Sequence, residues 1–241
     1  MPIQTVETFP DRLAAITELH PDEQRIVDRI YHAVMEQSLP PRTKLGEAEL
    51  CESFEVGRMK VRRALLLLAS QGIVELQSNR GAFVACPTQT DANEVFEARL
   101  HIEPSLVRQV VQTATPEGLG LLSEHVEQER IARQNGERIE LIRLTGEFHV
   151  KIALVSGNSL LVRILRELAA RTSLVVGLFG TENSASCRED EHETILAAIK
   201  DGDENYASDL VREHLRHIHE HLDLSRTRRD VPDLVSLLRA K

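Results

Sequence analysis

The fold is decided by residues 56–71, VGRMKVRRALLLLASQ, where a cluster of cations runs directly into an apolar segment. Four positively charged side chains lie close together there: Arg58, Lys60, Arg62 and Arg63. Apolar residues recur at helical spacing along one face: Val61, Ala64, Leu65 and Leu68. The stretch therefore predicts an amphipathic helix, whose cationic end is either an ordinary solvated face or a surface for a polyanion.

The segments around this helix follow the order of a winged helix-turn-helix. Apolar residues at spacings of three and four predict a helix before it, and a short acidic segment predicts another. After it, two runs rich in β-forming residues flank QSNRG, whose Asn and Gly suit a hairpin turn. The predicted elements are helices 21–36, 46–54 and 57–70 and strands 73–76 and 82–85.

The rest of the chain predicts only helices. CPTQTD at 86–91 is polar, contains a proline and lacks periodicity, so we place a linker there. Beyond it the predicted helices are 92–112, 116–135, 137–156, 158–178, 188–201 and 204–223. We expect a mainly α protein with an N-terminal extension (1–19), a winged helix-turn-helix with a small β-hairpin wing (20–85), the linker, an all-helical antiparallel bundle (92–223) and a C-terminal tail (224–241).

Composition narrows the class of protein. The 241 residues are 41% hydrophobic and 28% charged, which is typical of a globular protein with two modest domains. Neither a membrane-spanning apolar run nor a signal-peptide pattern is present, so we expect a cytoplasmic protein outside the membrane. The three cysteines are far apart, which argues against a disulfide framework or a thiolate zinc site. A formal net charge of -9 argues against non-specific coating of nucleic acid but permits a local basic face.

The basic face has the position of a DNA reader. In a helix-turn-helix, the N-terminal end of the second helix of the pair enters the major groove. Guanidinium and ammonium groups at that end suit guanine edges and phosphates. The hairpin tip adds Asn79, Arg80 and Gly81, and glycine permits a close backbone approach to a phosphate. Double-stranded DNA is therefore the predicted polyanion, with the four cations of the helix as its contacts.

Residues 39–85 resemble the winged-helix domain of the GntR family of bacterial transcription regulators. The helical remainder resembles the FCD-type ligand-binding domain of its FadR subfamily. The positions that match the family pattern are Leu45, Glu47, Glu49, Leu50, Val56, Arg58, Val61, Arg62, Ala64, Leu65, Gly72, Val74, Asn79, Arg80, Gly81, Phe83 and Val84. The resemblance implies a DNA-binding regulator that acts as a homodimer on a palindromic operator.

Four positions depart from the family pattern. Gly57 stands where the family usually has a Ser or Thr that caps the reading helix, and Lys60 replaces a common Pro or Thr. Arg63 takes the place of an acid, and Ala48 takes the place of a frequent DNA-contacting Arg. Because one cationic contact is lost while two are gained, we expect similar DNA affinity with a shifted operator preference.

Three histidines lie on predicted inward faces of three helices: His149, His192 and His214. Converging imidazoles suit a divalent cation such as Zn or Ni, although a single histidine of this kind is more often a hydrogen-bonded core residue than a metal ligand. The resemblance strengthens the metal interpretation, since these positions match the family's ligands. Its fourth ligand, an Asp, is Thr145 here, so the site is expected to bind metal weakly, to use water instead, or to hold only an effector.

Two arginines are candidates for binding a small carboxylate effector. Arg99 matches the family's inward arginine on the first helix of the helical domain, although an ion pair with Glu103, four residues later, is the alternative. Arg171 falls on the predicted apolar stripe of its helix, where an unpaired buried charge would be costly, and an intramolecular ion pair is the favoured alternative for it. A bound carboxylate would account for both.

The favoured function is a ligand-responsive DNA-binding regulator, more often a repressor than an activator, and not an enzyme. Effector binding would change the pose of the reading heads through the linker region. A metal-dependent hydrolase is the first alternative, but the sequence contains no HExxH, GxSxG or Gly-rich phosphate loop. A helical interaction scaffold without DNA binding is the second alternative, and it does not explain the Asn-Arg-Gly sequence at the hairpin tip.

Overall fold

A computed structural model describes residues 19–36, 38–180 and 191–223. The elements in these ranges are α1 (Pro21–Met35), β1 (Lys44–Leu45), α2 (Glu47–Phe54), α3 (Arg58–Ser70), β2 (Val74–Gln77), β3 (Gly81–Val84), α4 (Gln89–Thr113), α5 (Pro116–Gln134), α6 (Arg138–Val155), α7 (Ser159–Phe179), α8 (Glu191–Asp201) and α9 (Glu204–Glu220). The predicted fold class is confirmed. The predicted tail, most of the N-terminal extension and the start of the helix predicted at 188–201 fall outside the described residues.

The winged helix begins with a well-capped α1. The His20 side chain accepts from the Asp22 amide while the Glu23 carboxylate accepts from the His20 amide, which satisfies backbone groups that a helix start leaves free. Helix α3 ends before Gly72, whose φ of +72° is a left-handed conformation that glycine adopts without strain. The chain therefore turns sharply from the reading helix into β2.

The wing is a three-stranded antiparallel sheet in the order β1-β3-β2. Its hairpin register pairs Val74 with Val84 and Gln77 with Gly81, so each strand is shifted by one residue from its predicted bounds. Strand β1 was not predicted from the sequence, because two residues are too short to display alternation. It is identified only by pairing, with Lys44 opposite Phe83.

The helical domain begins three residues earlier than predicted. Thr88 caps α4: its hydroxyl accepts from the Asp91 amide at 3.1 Å, and the Asp91 carboxylate accepts from the Thr88 amide at 2.7 Å. This capping box lies inside the segment predicted as linker, so the non-helical connection is shorter than residues 86–91. In the bundle, α9 packs along α4, and α6 packs against both α5 and α7. None of the helices in the described ranges is both long and apolar enough to span a membrane.

The two domains share a packed junction between α1 and α7. Met35 of α1 lies over Gly177 of α7, where an added Cβ would be only 2.6 Å from the Met35 sulfur. The Tyr31 hydroxyl is hydrogen-bonded to Ser173 one turn earlier on α7, yet burial raises the pKa of Tyr31 to about 12. Apolar residues of α4, α7 and α9 continue the winged-helix core. The reading domain is therefore joined to the helical domain by direct packing as well as by the chain.

The core position of Leu68 gives a test of the winged-helix packing. Leu68 is fully buried, whereas Leu66 on the same helix is 57% exposed. Leu68→Ala is expected to lower the free energy of unfolding by about 2–5 kcal/mol, because it removes apolar contact and leaves a cavity. Leu66→Ala is the matched control and should change it by less than about 0.5 kcal/mol. Urea denaturation followed by circular dichroism measures both, and equal losses would contradict the packing described.

The junction can be tested by the titration of Tyr31. The chain has two tyrosines, so Tyr206→Phe leaves Tyr31 as the reporter. A folded-state pKa near 12 means that Tyr31 stays largely protonated at pH 11, where an ordinary tyrosine with a pKa of about 10 is mostly ionised. Because the unfolded chain releases this proton first, stability falls as pH rises above about 10. Absorbance at 295 nm, with circular dichroism to monitor folding, measures the titration; ionisation near pH 10 in the folded protein would rule out a buried Tyr31.

Candidate DNA-reading face and metal centre

The reading helix presents its cations at the surface, but acids of neighbouring helices hold most of them. Arg58, the first residue of α3, is exposed, and Gly57 before it provides no side-chain cap. The ion pairs of the other three are Lys60 with Asp22, Arg62 Nε with Glu47 Oε1 at 2.8 Å, and Arg63 Nη1 with Glu23 Oε1 at 3.3 Å. The cluster is thus partly neutralised before it meets any anion.

The pair between Arg62 and Glu47 leaves the reading end of the guanidinium available. Glu47 accepts from Nε at 2.8 and 3.0 Å, and the hydrogen bond to Arg62 holds the pKa of Glu47 below its usual value. A bidentate contact with guanine uses the terminal nitrogens instead. Glu47 therefore orients Arg62 without occupying the atoms that would contact a base.

The hairpin tip is exposed and sharply turned, as predicted. Asn79 and Gly81 both have positive φ, at 59° and 98°, so the turn uses a residue that tolerates the left-handed region and one without a side chain. The guanidinium of Arg80 lies 5.4 Å from the centre of the Phe83 ring, a cation–π contact across the base of the turn. The hairpin tip therefore holds the guanidinium of Arg80 at a defined position in the winged-helix domain.

The three predicted histidines converge in the interior of the helical domain. His149 on α6, His192 on α8 and His214 on α9 are all buried. Their Nε2 atoms face one another, with His149 to His214 at 3.2 Å and His192 to His214 at 3.1 Å. Nitrogens bound to one zinc ion at about 2.0–2.1 Å stand about 2.9–3.4 Å apart in octahedral or tetrahedral geometry. The observed separations fit a single small divalent cation.

Each of these histidines has a carboxylate at its other ring nitrogen. Glu129 Oε2 lies 2.8 Å from His192 Nδ1, and Glu191 Oε2 lies 2.7 Å from His214 Nδ1. Glu103 Oε2 lies 2.6 Å from His149 Nδ1 in a close but poorly aligned contact. We call Glu103, Glu129 and Glu191 the carboxylate layer. Because a carboxylate only accepts, each contact favours a hydrogen on Nδ1 and a free lone pair on Nε2.

The electrostatics of the cluster favour neutral imidazoles at His149 and His214. Burial lowers the pKa of His149 to about 3 and that of His214 to about 4. Burial would raise the pKa of Glu103, but Arg99 and His149 together hold it well below its usual value, so the carboxylate is ionised. Three carboxylates and the single guanidinium of Arg99 then give the cluster a formal charge of -2. A divalent cation at the Nε2 atoms would balance that charge.

Arg99 and Thr145 lie at the same centre. Arg99 is 1% exposed and donates from Nε to Glu103 Oε1 at 2.6 Å, so the predicted ion pair forms, while its Nη2 is buried without a hydrogen-bond partner. Thr145 donates to the carbonyl of Ile142 at 3.1 Å. Both line a small cavity beside the histidines, together with Gly146, Thr172, Ser173 and Val176. Arg99 Nη2 is therefore a hydrogen-bond donor without an acceptor, and a carboxylate bound in the cavity would supply one.

The structure does not bring Arg171, the second candidate for effector binding, to this cavity; it forms an intramolecular ion pair instead. Its side chain is 44% exposed, and its Nη2 lies 2.8 Å from Glu167 Oε1 on the same helix. The aliphatic part lies over Gly72, where an added Cβ would be 2.8 Å from Arg171 Cγ. The neighbouring Thr172 takes the inward position instead. A helical stripe covers a broad arc, and Arg171 lies at its edge, where a long side chain reaches water.

Sequence reasoning missed most of the carboxylate layer. Glu103 was considered only as a partner of Arg99, and Glu129 and Glu191 were not singled out. A usable signal for Glu129 is its position on the inward face of α5 with Leu122, His125 and Val126, where an ionisable residue is unusual. Glu191 directly precedes His192 and gives no comparable signal.

A winged helix with a cationic reading helix, packed on a helical domain with a buried histidine cluster, defines a DNA-binding protein with a second, non-reading domain. Residues 22–84 match the bacterial regulatory proteins of the gntR family, and residues 94–217 match the FCD domain. The chain belongs to the GntR family of transcription regulators, in the group that carries an FCD domain. Regulators of this family bind DNA operators.

Curated relatives agree with this assignment, and a solved structure shares the fold. The chain is 28% identical over 185 residues to the HTH-type transcriptional regulator YdhC of Bacillus subtilis, covering 76% of this chain and 82% of the relative. It is 31% identical over 200 residues to the HTH-type transcriptional repressor NanR of Klebsiella aerogenes, covering 72% and 74%. A GntR regulator structure from Rhodococcus sp. RHA1 superposes with a TM-score of 0.71 at 20% identity, over 87% of this chain and all of that one.

The DNA-reading assignment is tested by removing single cations. Arg58→Ala and Arg62→Ala are each expected to weaken operator binding by about 5- to 150-fold, because one bidentate base contact contributes about 1–3 kcal/mol. Arg108→Ala, an exposed arginine of α4, is the control and should leave affinity unchanged. Fluorescence anisotropy with an operator selected from random DNA measures all three; wild-type affinity in both reading-helix variants would refute the assignment.

Proposed function

We propose that this protein is a homodimeric repressor whose operator affinity responds to a small carboxylate held beside a divalent metal ion in the helical domain. The observation that carries the proposal is the convergence of three buried imidazole Nε2 atoms beside the unpartnered Nη2 of Arg99. Two recognition helices in a dimer would meet successive major grooves of a palindromic operator. The cytoplasm is the compartment in which such a regulator meets DNA.

The donor set suits zinc or nickel. His149, His192 and His214 would hold the ion through Nε2, and imidazole nitrogen is a good ligand for both metals. With Thr145 in place of a carboxylate ligand, positions on the metal remain for water or for an oxygen of the effector. The metal would supply a Lewis-acid contact to the effector carboxylate, while Arg99 would supply a hydrogen bond from Nη2.

The hydroxyl groups around the cavity define the kind of effector. Thr172 and Ser173 of α7 line the cavity together with His149 and His214. They suit a small acid that carries a hydroxyl or carbonyl oxygen besides its carboxylate. A purely apolar ligand would leave Arg99 Nη2 unsatisfied, so a carboxylate is the class we assign.

The signal has a direct route to the reading domain. Ser173 both lines the cavity and bonds to Tyr31 of α1, and Val176 lines the cavity next to Gly177, on which Met35 rests. A ligand that shifts α7 would therefore shift α1 and the reading helix packed on it. The chain between the two domains is short, because α4 already begins at the Thr88 cap, and it would absorb little of such a movement.

The surroundings of the centre favour sensing over hydrolysis. A metal-dependent hydrolase needs a carboxylate or histidine beside the bound water to act as a general base. Among the described residues, the acids nearest the histidines contact the Nδ1 side of the rings, away from the metal position. Glu147 is engaged by Arg143 at 2.6 Å. No relative reported above is named as an enzyme.

The test is operator binding with and without zinc and a panel of small carboxylic acids of two to six carbons. At least one acid is expected to weaken operator binding of the zinc-loaded protein by about 5- to 150-fold, the usual range of allosteric coupling. His214→Ala should abolish the response while it keeps operator affinity. Tyr31→Phe should keep zinc binding but reduce the response, since the bond to Ser173 is lost.

Two outcomes would contradict the proposal. A full acid response in His214→Ala would place the effector outside the histidine cavity. Operator binding that no acid on the panel changes, in protein with demonstrated zinc, would remove the assigned effector class. His101→Ala, an exposed histidine of α4, is the control for loss of an imidazole.

A further inference from the structure

We infer that Glu129 is a positioning residue of the metal centre, and that its charge supplies part of the cation affinity that a threonine at position 145 does not. This inference rests on the proposed metal site and assigns a role to a residue that is not a ligand. Glu129 lies on α5, a helix that contributes no histidine to the cluster.

The contact between Glu129 and His192 determines which ring nitrogen of His192 keeps its lone pair. Glu129 Oε2 lies 2.8 Å from His192 Nδ1, and both side chains are 3% exposed. An ionised carboxylate can only accept, so the hydrogen stays on Nδ1 and the lone pair stays on Nε2, 3.1 Å from His214 Nε2. A carboxylate behind a metal-bound imidazole also raises the basicity of the coordinating nitrogen.

Two further side chains hold this geometry. His125, which is fully buried, contacts the Leu144 carbonyl at 2.8 Å through Nε2, and the same nitrogen lies 3.3 Å from Glu129 Oε1. The Phe148 ring stacks on the His192 ring with centroids 4.0 Å apart. The plane of the His192 ring is thus set by Phe148 and its rotation by Glu129, so its Nε2 is aimed before any cation arrives.

The charge of Glu129 has different neighbours from the charges of the other two acids of the carboxylate layer. Glu103 is paired with the guanidinium of Arg99, and Glu191 is 19% exposed and lies near His217 as well as His214. Glu129 is buried, and the groups that contact it are the imidazoles of His125 and His192. A buried anion is costly unless a cation lies nearby, and the Nε2 side of His192 is where that cation would bind.

This arrangement accounts for the change at position 145. A carboxylate ligand would bring one negative charge directly to the metal, and threonine brings none. The carboxylate layer places its charge behind the imidazoles instead, which leaves the inner positions open for a ligand while it retains electrostatic attraction for a divalent ion. Glu129 contributes the part of that charge that is buried against the imidazoles of His125 and His192.

The experiment compares zinc affinity in the full chain and in single variants. Glu129→Gln keeps the shape and a carbonyl acceptor for His192 Nδ1 but removes the charge. Competition with a chromophoric chelator is expected to show zinc binding weakened by about 10- to 100-fold. Glu127→Gln, an exposed acid on the same helix paired with Arg130, is the control and should bind zinc as the wild type does. His192→Ala should bind zinc more weakly than either.

A second readout separates positioning from folding. Zinc should raise the melting temperature of the wild type, and the rise should shrink in Glu129→Gln, because stabilisation by a ligand follows its affinity. A residue with only a structural role would lower the melting temperature with and without zinc by the same amount. Cobalt bound to Glu129→Gln should keep the visible spectrum of the wild type, since the ligands themselves are unchanged.

The outcomes are distinct for the two proposals. Zinc affinity within twofold of wild type in Glu129→Gln, with weakened binding in His192→Ala, overturns the role of Glu129 and keeps the metal site. A zinc-induced rise in melting temperature that is unchanged in Glu129→Gln has the same meaning. Failure of the wild type to bind zinc, nickel or cobalt overturns both proposals.

Discussion

The helical domain is organised around a group of charges that are largely shielded from water. His149, His192 and His214 turn the same nitrogen inwards because a carboxylate occupies the opposite side of each ring. The groups of this cluster come from α4, α5, α6, α8 and α9. Buried charges tolerate little misalignment, since a lost partner leaves an unpaired ion in a medium of low polarity. The relative positions of these five helices are therefore fixed by polar geometry as well as by apolar packing.

Helix α7 has a different part in this arrangement. It supplies no charge to the cluster, but it lines the cavity through Thr172 and Ser173 and carries the contact with α1 through Gly177. The absence of a side chain on Gly177 lets the two helices approach closely enough for Met35 to fill the space. Because α7 contacts both the cavity and the junction with α1, it is the element that the proposed response would use.

Sequence patterns predicted what depends on periodicity and on local chemistry. The apolar stripe of α3 and the Asn-Arg-Gly turn predicted the winged helix. The positions of His149, His192 and His214 on inward helix faces predicted the histidine cluster. The failures have physical causes. Strand β1 is defined by a partner forty residues away along the chain, and the cap formed by Thr88 turns a polar, proline-containing segment into a helix start. Arg171 followed the stripe but has a side chain long enough to leave it, and His192, which Glu129 contacts at the metal centre, lies on another helix.

The ion pairs on the reading helix have a consequence for DNA binding in solution. Lys60, Arg62 and Arg63 are already matched by carboxylates of α1 and α2, so they gather fewer mobile anions than free cations would. Contact with phosphates then exchanges one anionic partner for another within the protein–DNA interface. Since the salt dependence of DNA binding reflects the ions released on association, its slope should be shallower than the number of basic residues on this face suggests. An acidic chain can in this way read DNA with an affinity less sensitive to ionic strength.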